Sequence, residues 1–128
     1  MTLHEMMNKI LDKCELPTIK KYDVLKEAVE VYKPPAQVNC AIEEMSELIH
    51  ALCRIIRLWA VPEDLFDEKK YNYALSDVVE EIADVIIMLQ QLMIIFNQSS
   101  DVQRWVDYKI DRLEQRLLKE KVAKESEK

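Results

Sequence analysis

The sequence predicts an all-α, four-helix-bundle-like domain with an extra helical segment at its N-terminus. Three observations carry this prediction. The 128 residues include no glycine, where average usage is about 7%, so tight hairpins that need positive φ lack their usual residue. Apolar residues recur at steps of three and four over two long stretches, which is the helical period. No stretch reads as strand-rich.

The elements follow in chain order. Thr2-Leu3-His4-Glu5 has the spacing of a capping box and opens a first helix to about Asp12. Pro17 and Thr18 interrupt it, and a short amphipathic segment covers about Ile19 to Val31. Pro34-Pro35 suits a helix entry, because proline in the first turn loses no needed hydrogen bond. From there Ala41, Met45, Leu48, Leu52, Ile55 and Trp59 form an apolar stripe that ends before Pro62, and Ile42, Ile49 and Ile56 widen it. Residues 61–73 mix turn formers, charges and aromatics and read as a connection. The next helix spans about Leu75 to Phe96, with Val78, Ile82, Val85, Leu89, Leu92 and Phe96 as its stripe. Ile87, Met88, Ile94 and Ile95 make its last half apolar almost all round, which calls for cover on more than one side, some of it from a second subunit. Ser100-Asp101-Val102-Gln103 opens a last helix with Val102, Trp105 or Val106, Ile110, Leu113 and Leu117 inward. The expected organisation is one domain over residues 1–120, with its core motifs at 37–97 and a charged, frayed tail at 121–128.

Composition excludes several functions. Without glycine there is neither a P-loop nor a dinucleotide fingerprint. Eighteen basic against 24 acidic side chains give a net charge of −6, which disfavours a nucleic-acid polymer as partner. The run Val85–Ser100 contains Gln90, Gln91 and Asn97 and is too short and too polar for a membrane span. Cys14, Cys40 and Cys53 are odd in number and form no CxxC pair, as expected of free thiols in a reducing cytoplasm. Residues 1–15 show no apolar core of a signal peptide, which agrees with a cytoplasmic location.

Two segments match class for class over eight positions. They are Ile42-Glu43-Glu44-Met45-Ser46-Glu47-Leu48-Ile49 and Val79-Glu80-Glu81-Ile82-Ala83-Asp84-Val85-Ile86. The shared apolar positions fix how each helix faces the core, and so fix its acids. At about 100° per residue, Glu44 and Glu47 lie roughly 60° apart at the border of one stripe, and Glu81 and Asp84 do the same on the other. If the stripes pack together, four carboxylates converge at one seam. Their mutual repulsion would raise their pKa values, and a cation would relieve it. Hard oxygen ligands suit Mg²⁺, with Mn²⁺ as an alternative. The plainer reading is a pair of solvated faces, with Arg54 and Arg57 neutralising the first acid pair and Lys69 and Lys70 the second.

Glu44-x-x-Glu47 followed by Glu81-x-x-Asp84 resembles the MazG-like all-α nucleoside triphosphate pyrophosphohydrolases. Gln37 ahead of the first motif, EEMSEL around it and EEIADVIIMLQQL around the second extend the resemblance over about Gln37 to Phe96. The resemblance implies a MazG-type, Mg²⁺-dependent enzyme, a homodimer or homotetramer. Such an enzyme hydrolyses a nucleoside or deoxynucleoside triphosphate between the α- and β-phosphorus, with water attacking in line. Carried over, Glu44, Glu47, Glu81 and Asp84 are metal ligands and catalytic residues, and Glu43 and Glu80 are outer candidates for the base. The family's last helix offers Lys, then Asn and Arg, to the phosphates. Here Lys109-Ile110-Asp111-Arg112 keeps Lys109 and Arg112 as substrate-binding candidates and lacks the Asn. The stretch between the motifs is also longer than is common in the family, and residues 61–73 could shape the substrate pocket.

Two other readings compete. Glu47-x-x-His50 has the spacing of a ferritin-like di-metal bundle, but Ile87 stands where a second histidine is needed. A non-enzymatic helical interaction module would use the apolar 85–96 segment instead. His50 and His4 read as surface residues. Trp59 and Trp105 read as core, and Phe66, Tyr71 and Tyr73 as candidates for stacking a nucleobase.

Overall fold

A computed structural model describes Thr2, His4, Glu5 and residues 15–127. Among the described residues the chain is helical, with no strand. The main helices are α1 (Tyr22–Tyr32), α2 (Pro34–Trp59), α3 (Glu68–Phe96) and α4 (Ser99–Ser126), and a single 3₁₀ turn lies at Glu63–Leu65. Residues up to Ile95 pack as one compact unit, and Phe96–Lys128 forms a second.

The N-terminal capping box forms as expected. The Glu5 carboxylate accepts from the Thr2 N–H at 2.8 Å, and the Thr2 hydroxyl accepts from the Glu5 N–H at 3.2 Å. The rest of the first expected helix lies outside the described residues. Lys33 alone joins α1 to α2. Its N–H donates to the Val29 carbonyl at 3.0 Å, and its φ of 75° lies in the left-handed region. The proline that follows favours the extended ψ of 150° seen there. A glycine would take this conformation without strain, and the sequence supplies none. The second such joint is Asn97, φ 51°, between α3 and α4; asparagine tolerates this region better than most residues.

Helices α2 and α3 pack antiparallel. The Arg54 guanidinium donates to the Asp77 carboxylate at 2.6 Å, and Ala51 and Ile55 of α2 meet Tyr71, Ala74 and Val78 of α3. Leu48, Leu58 and Phe66 close around this core. The inward positions of α2 are Gln37, Ala41, Glu44, Leu48, Ala51, Ile55 and Leu58. They alternate steps of four and three, the heptad seam of paired helices. The inward positions of α3 follow the same rule through Tyr71, Ala74, Val78, Glu81, Val85 and Met88.

This seam corrects the expected stripes. Leu52 and Trp59 of α2, and Ile82, Leu89 and Phe96 of α3, are exposed. They belong to a second apolar heptad one residue later, Ile42, Met45, Ile49, Leu52, Ile56 and Trp59 on α2 and Leu75, Val79, Ile82, Ile86, Leu89, Met93 and Phe96 on α3. A hydrophobicity pattern sums the two stripes and points between them. Because the helices run in opposite directions, a 100° step past the seam turns both second stripes to one side of the pair. The residues just before each seam position lie on the other side. Leu16 to Tyr22 border the apolar side near Ile86, Leu89 and Met93. Leu25 of α1 is buried, and the Gln37 amide donates to the Ala28 carbonyl at 3.3 Å, tying α1 to α2.

Three further expectations change. Helix α3 begins at Glu68 rather than near Leu75, so half of the supposed connection is helical. Tyr71 is thereby a core residue, 5.5 Å ring to ring from Phe66, and not a base-stacking side chain. Helix α4 continues to Ser126 through the expected tail. Its stripe residues Val102, Trp105, Val106, Ile110, Leu113 and Leu117 are exposed, so Trp105 is not core.

Candidate metal centre

The duplicated acids meet in the middle of the α2–α3 seam. Antiparallel pairing places Glu44 opposite Glu81 and Asp84, and these three carboxylates each offer an oxygen within 4.8 Å of the others. Glu44 and Glu81 occupy the heptad positions themselves, where a bundle ordinarily places leucine. Asp84 and Glu47 stand just before seam positions, so the cluster opens on the polar side of the helix pair.

Burial and charge act together here. One carboxylate oxygen of Glu44 and one of Glu81 are buried with no hydrogen-bond partner. Desolvation raises the Glu44 carboxyl above its ordinary range, and the charges of Asp84, Glu47 and Glu81 push it further. The Glu81 carboxyl is raised as well, first by desolvation and then by Glu47, Asp84 and Glu80. A side-chain hydrogen bond with Glu47 raises both a little further, so Glu47 stands beside the triad. Among the described residues no cation pairs with these acids. Arg54, expected to neutralise Glu44 and Glu47, is instead held by Asp77.

Orphaned buried carboxylate oxygens are costly, and a hard divalent cation is the partner that would satisfy several at once. The donor set is all oxygen, which suits Mg²⁺ or Mn²⁺ and offers nothing soft. His50 is exposed and stands outside the cluster. Glu43 and Glu80 are exposed, as their wheel positions imply. Cys40 and Cys53 are free and exposed; Cys14 lies outside the described residues.

Lys109 and Arg112 belong to the second unit. There the Arg112 guanidinium lies 5.8 Å from the Tyr108 ring centre, and the Tyr108 ring meets Trp105 edge-on at 5.8 Å. Arg104, which pairs with Asp101, joins Trp105, Tyr108 and Arg112 along an open groove.

Sequence reasoning used Gln37 only as flanking context and did not anticipate that it and Gln91 are buried. Gln37 and Gln91 are only 6% and 5% exposed. Gln91 lies in an uncharged run that hid it, though its place about one turn beyond Met88 is a usable signal. Comparison with known proteins returns no match to a family model, a curated protein or a solved structure. Among the described residues no helix is long and apolar enough to cross a membrane.

Proposed function

We propose that this chain is a MazG-like, Mg²⁺-dependent nucleotide pyrophosphohydrolase. Its reaction is hydrolysis of a nucleoside or deoxynucleoside triphosphate between the α- and β-phosphorus, giving the monophosphate and pyrophosphate. The observation that supports it best is the placement of Glu44 and Glu81 in the seam, each with a buried carboxylate oxygen that lacks a partner. A fold without a cation to bind would gain stability by filling those positions with apolar side chains.

Glu44, Glu47, Glu81 and Asp84 would hold the cation. When bound, Mg²⁺ supplies Lewis acidity toward phosphoryl oxygens and makes a water more acidic. The rigid helix pair fixes the ligands in advance, so little reorganisation is needed. Glu43, exposed next to Glu44 in sequence, is the outer candidate for the base. Lys109 and Arg112 are the phosphate contacts proposed on α4. The one-sided apolar face, with Ile49, Ile56 and Val79 about 60% exposed, supports a homodimer or homotetramer that covers it.

A panel of nucleoside and deoxynucleoside triphosphates, assayed for pyrophosphate with Mg²⁺ or Mn²⁺, tests the reading. Pyrophosphate release that collapses in Glu81→Gln is expected, and full activity in that variant would sink it. A non-enzymatic interaction module shares the apolar face and predicts no thermal shift with millimolar Mg²⁺.

A further inference from the structure

Among the described residues, the buried side-chain polar atoms that lack a partner are one oxygen each on Glu44, Glu81 and Gln91. A cation in the acid cluster would satisfy the first two. It leaves the Gln91 oxygen, on a side chain only 5% exposed, with nothing. Gln91 stands seven residues after Asp84. It therefore repeats the position of Asp84 one heptad along and leaves α3 in the same direction, toward the side on which the cluster opens. Gln37 stands seven residues before Glu44. In an antiparallel pair these two steps run the same way, so Gln37 faces Gln91 as Glu44 faces Asp84. The Gln37 amide donates to the Ala28 carbonyl instead, at 3.3 Å, and does not serve Gln91.

The side of the pair that carries the acids changes character on the way to Gln91. Away from Gln91, the residues just before each seam position include Arg54, Arg57, Lys70 and Asp77. Past the acids they become Ala36 and Cys40 on α2 and Ile87 and Ile94 on α3, with no charge among them. Ile87 lies between Asp84 and Gln91 on one face of α3 and is 38% exposed. Cys40 is exposed across from it. An isoleucine held out on this side joins no core of the chain, and beside an orphaned amide oxygen it makes a small apolar platform with one acceptor at its end.

The step from Asp84 to Gln91 is about 10 Å of helix axis, the reach of a nucleoside from its α-phosphorus to the far edge of its base. We propose that the strip from Ile87 to Gln91 seats the nucleobase of the substrate and that Gln91 reads it. The Gln91 carbonyl oxygen accepts an N–H at the edge of the base, and Ile87 packs against the ring. The proposal deepens the reading of the acid cluster and rests on it, because the cation fixes where the α-phosphorus sits and the nucleoside extends from there. The uncharged end of the strip suits the uncharged part of the substrate. An acceptor already stripped of water loses no hydration when the base arrives, so the new hydrogen bond counts almost in full. A base without that N–H gains nothing from it, which makes the position a source of discrimination as well as affinity.

The test compares substrates that differ only in the base. Pyrophosphate release with Mg²⁺ is measured for the preferred nucleoside triphosphate, for its derivative methylated at the base N–H, and for ribose 5-triphosphate. The full chain and Gln91→Leu are compared, and leucine suits a buried position, so the variant should fold, as circular-dichroism melts will check. Gln91→Leu is expected to raise KM for the preferred nucleotide roughly tenfold or more and to leave ribose 5-triphosphate unchanged. Methylation should cost the original chain a similar factor and the variant little further. An unchanged KM in Gln91→Leu, or ribose 5-triphosphate cleaved by the original chain as well as the nucleotide, removes the base seat and keeps the enzyme. Calorimetric titration with the matching nucleoside monophosphate and Mg²⁺ separates the two readings. Binding that Gln91→Leu weakens, in a chain that cleaves no triphosphate, removes the enzyme and keeps the seat; no binding by the original chain removes the seat.

Discussion

Replacing Glu81 by glutamine should change sign with metal. Glutamine keeps the shape of the side chain and removes one of the charges that, together with desolvation, hold the Glu44 carboxyl above its ordinary range. In EDTA the variant should therefore melt above the original chain. With Mg²⁺ the order inverts if the lead in EDTA is below about 5 °C. A ligand at a hundred times its Kd stabilises the native state by about 2.7 kcal/mol. Unfolding entropy near 2.1 cal/mol/K per residue makes the slope roughly 0.27 kcal/mol per degree for a chain of this length, so the original chain should rise by about 10 °C. A site weakened tenfold retains about 1.4 kcal/mol at the same Mg²⁺ concentration, a rise of roughly 5 °C. Circular-dichroism melts in EDTA and across a Mg²⁺ titration give both numbers. A variant that melts below the original chain in EDTA, with an undiminished Mg²⁺ shift, would refute the reasoning.

The remaining predictions concern acidity, packing, a joint and the exposed face. Glu44 and Glu81 have folded pKa values above their unfolded ones, so the folded state binds more protons, and metal-free stability should fall as pH rises from the ordinary carboxylate range through the raised values; saturating Mg²⁺ should flatten that slope in melts taken at several pH values. Ile55→Ala, at a residue 5% exposed in the main cluster, should cost about 3 kcal/mol in urea unfolding. Lys33→Gly should relieve left-handed strain and gain about 1 kcal/mol net of glycine's flexibility, read by the same denaturation. Ile49→Lys with Ile56→Lys should leave helical content unchanged and shift sedimentation equilibrium to the monomer; an unchanged mass would remove the apolar face from assembly.

Helix existence was legible because punctuation and period agree. Pro34-Pro35 and Pro62 bound α2, and Thr2 and Glu5 form the capping box their spacing announces. The start of α3 was not legible. Glu68 to Tyr73 have no apolar stripe until Tyr71 is known to be buried, and aromatic residues among charges resemble a loop. The meeting of Glu44, Glu81 and Asp84 was legible in the sequence and slightly wrong in its angle. Two adjacent apolar stripes on each helix average to a direction beside the seam, so Glu44 and Glu81 read as border residues when they lie within it. The role of Arg54 was illegible for a related reason. Its partner Asp77 is brought close only by the antiparallel register, which no local pattern encodes.

The glutamates within the seam also bear on what sequence drift would look like. A copy of this chain with no cation to bind should gain stability by taking leucine or methionine at positions 44 and 81. On the proposed reading, a chain keeps these acids for the cation and not for stability. Chains that lose them should prove tougher to unfold and indifferent to magnesium.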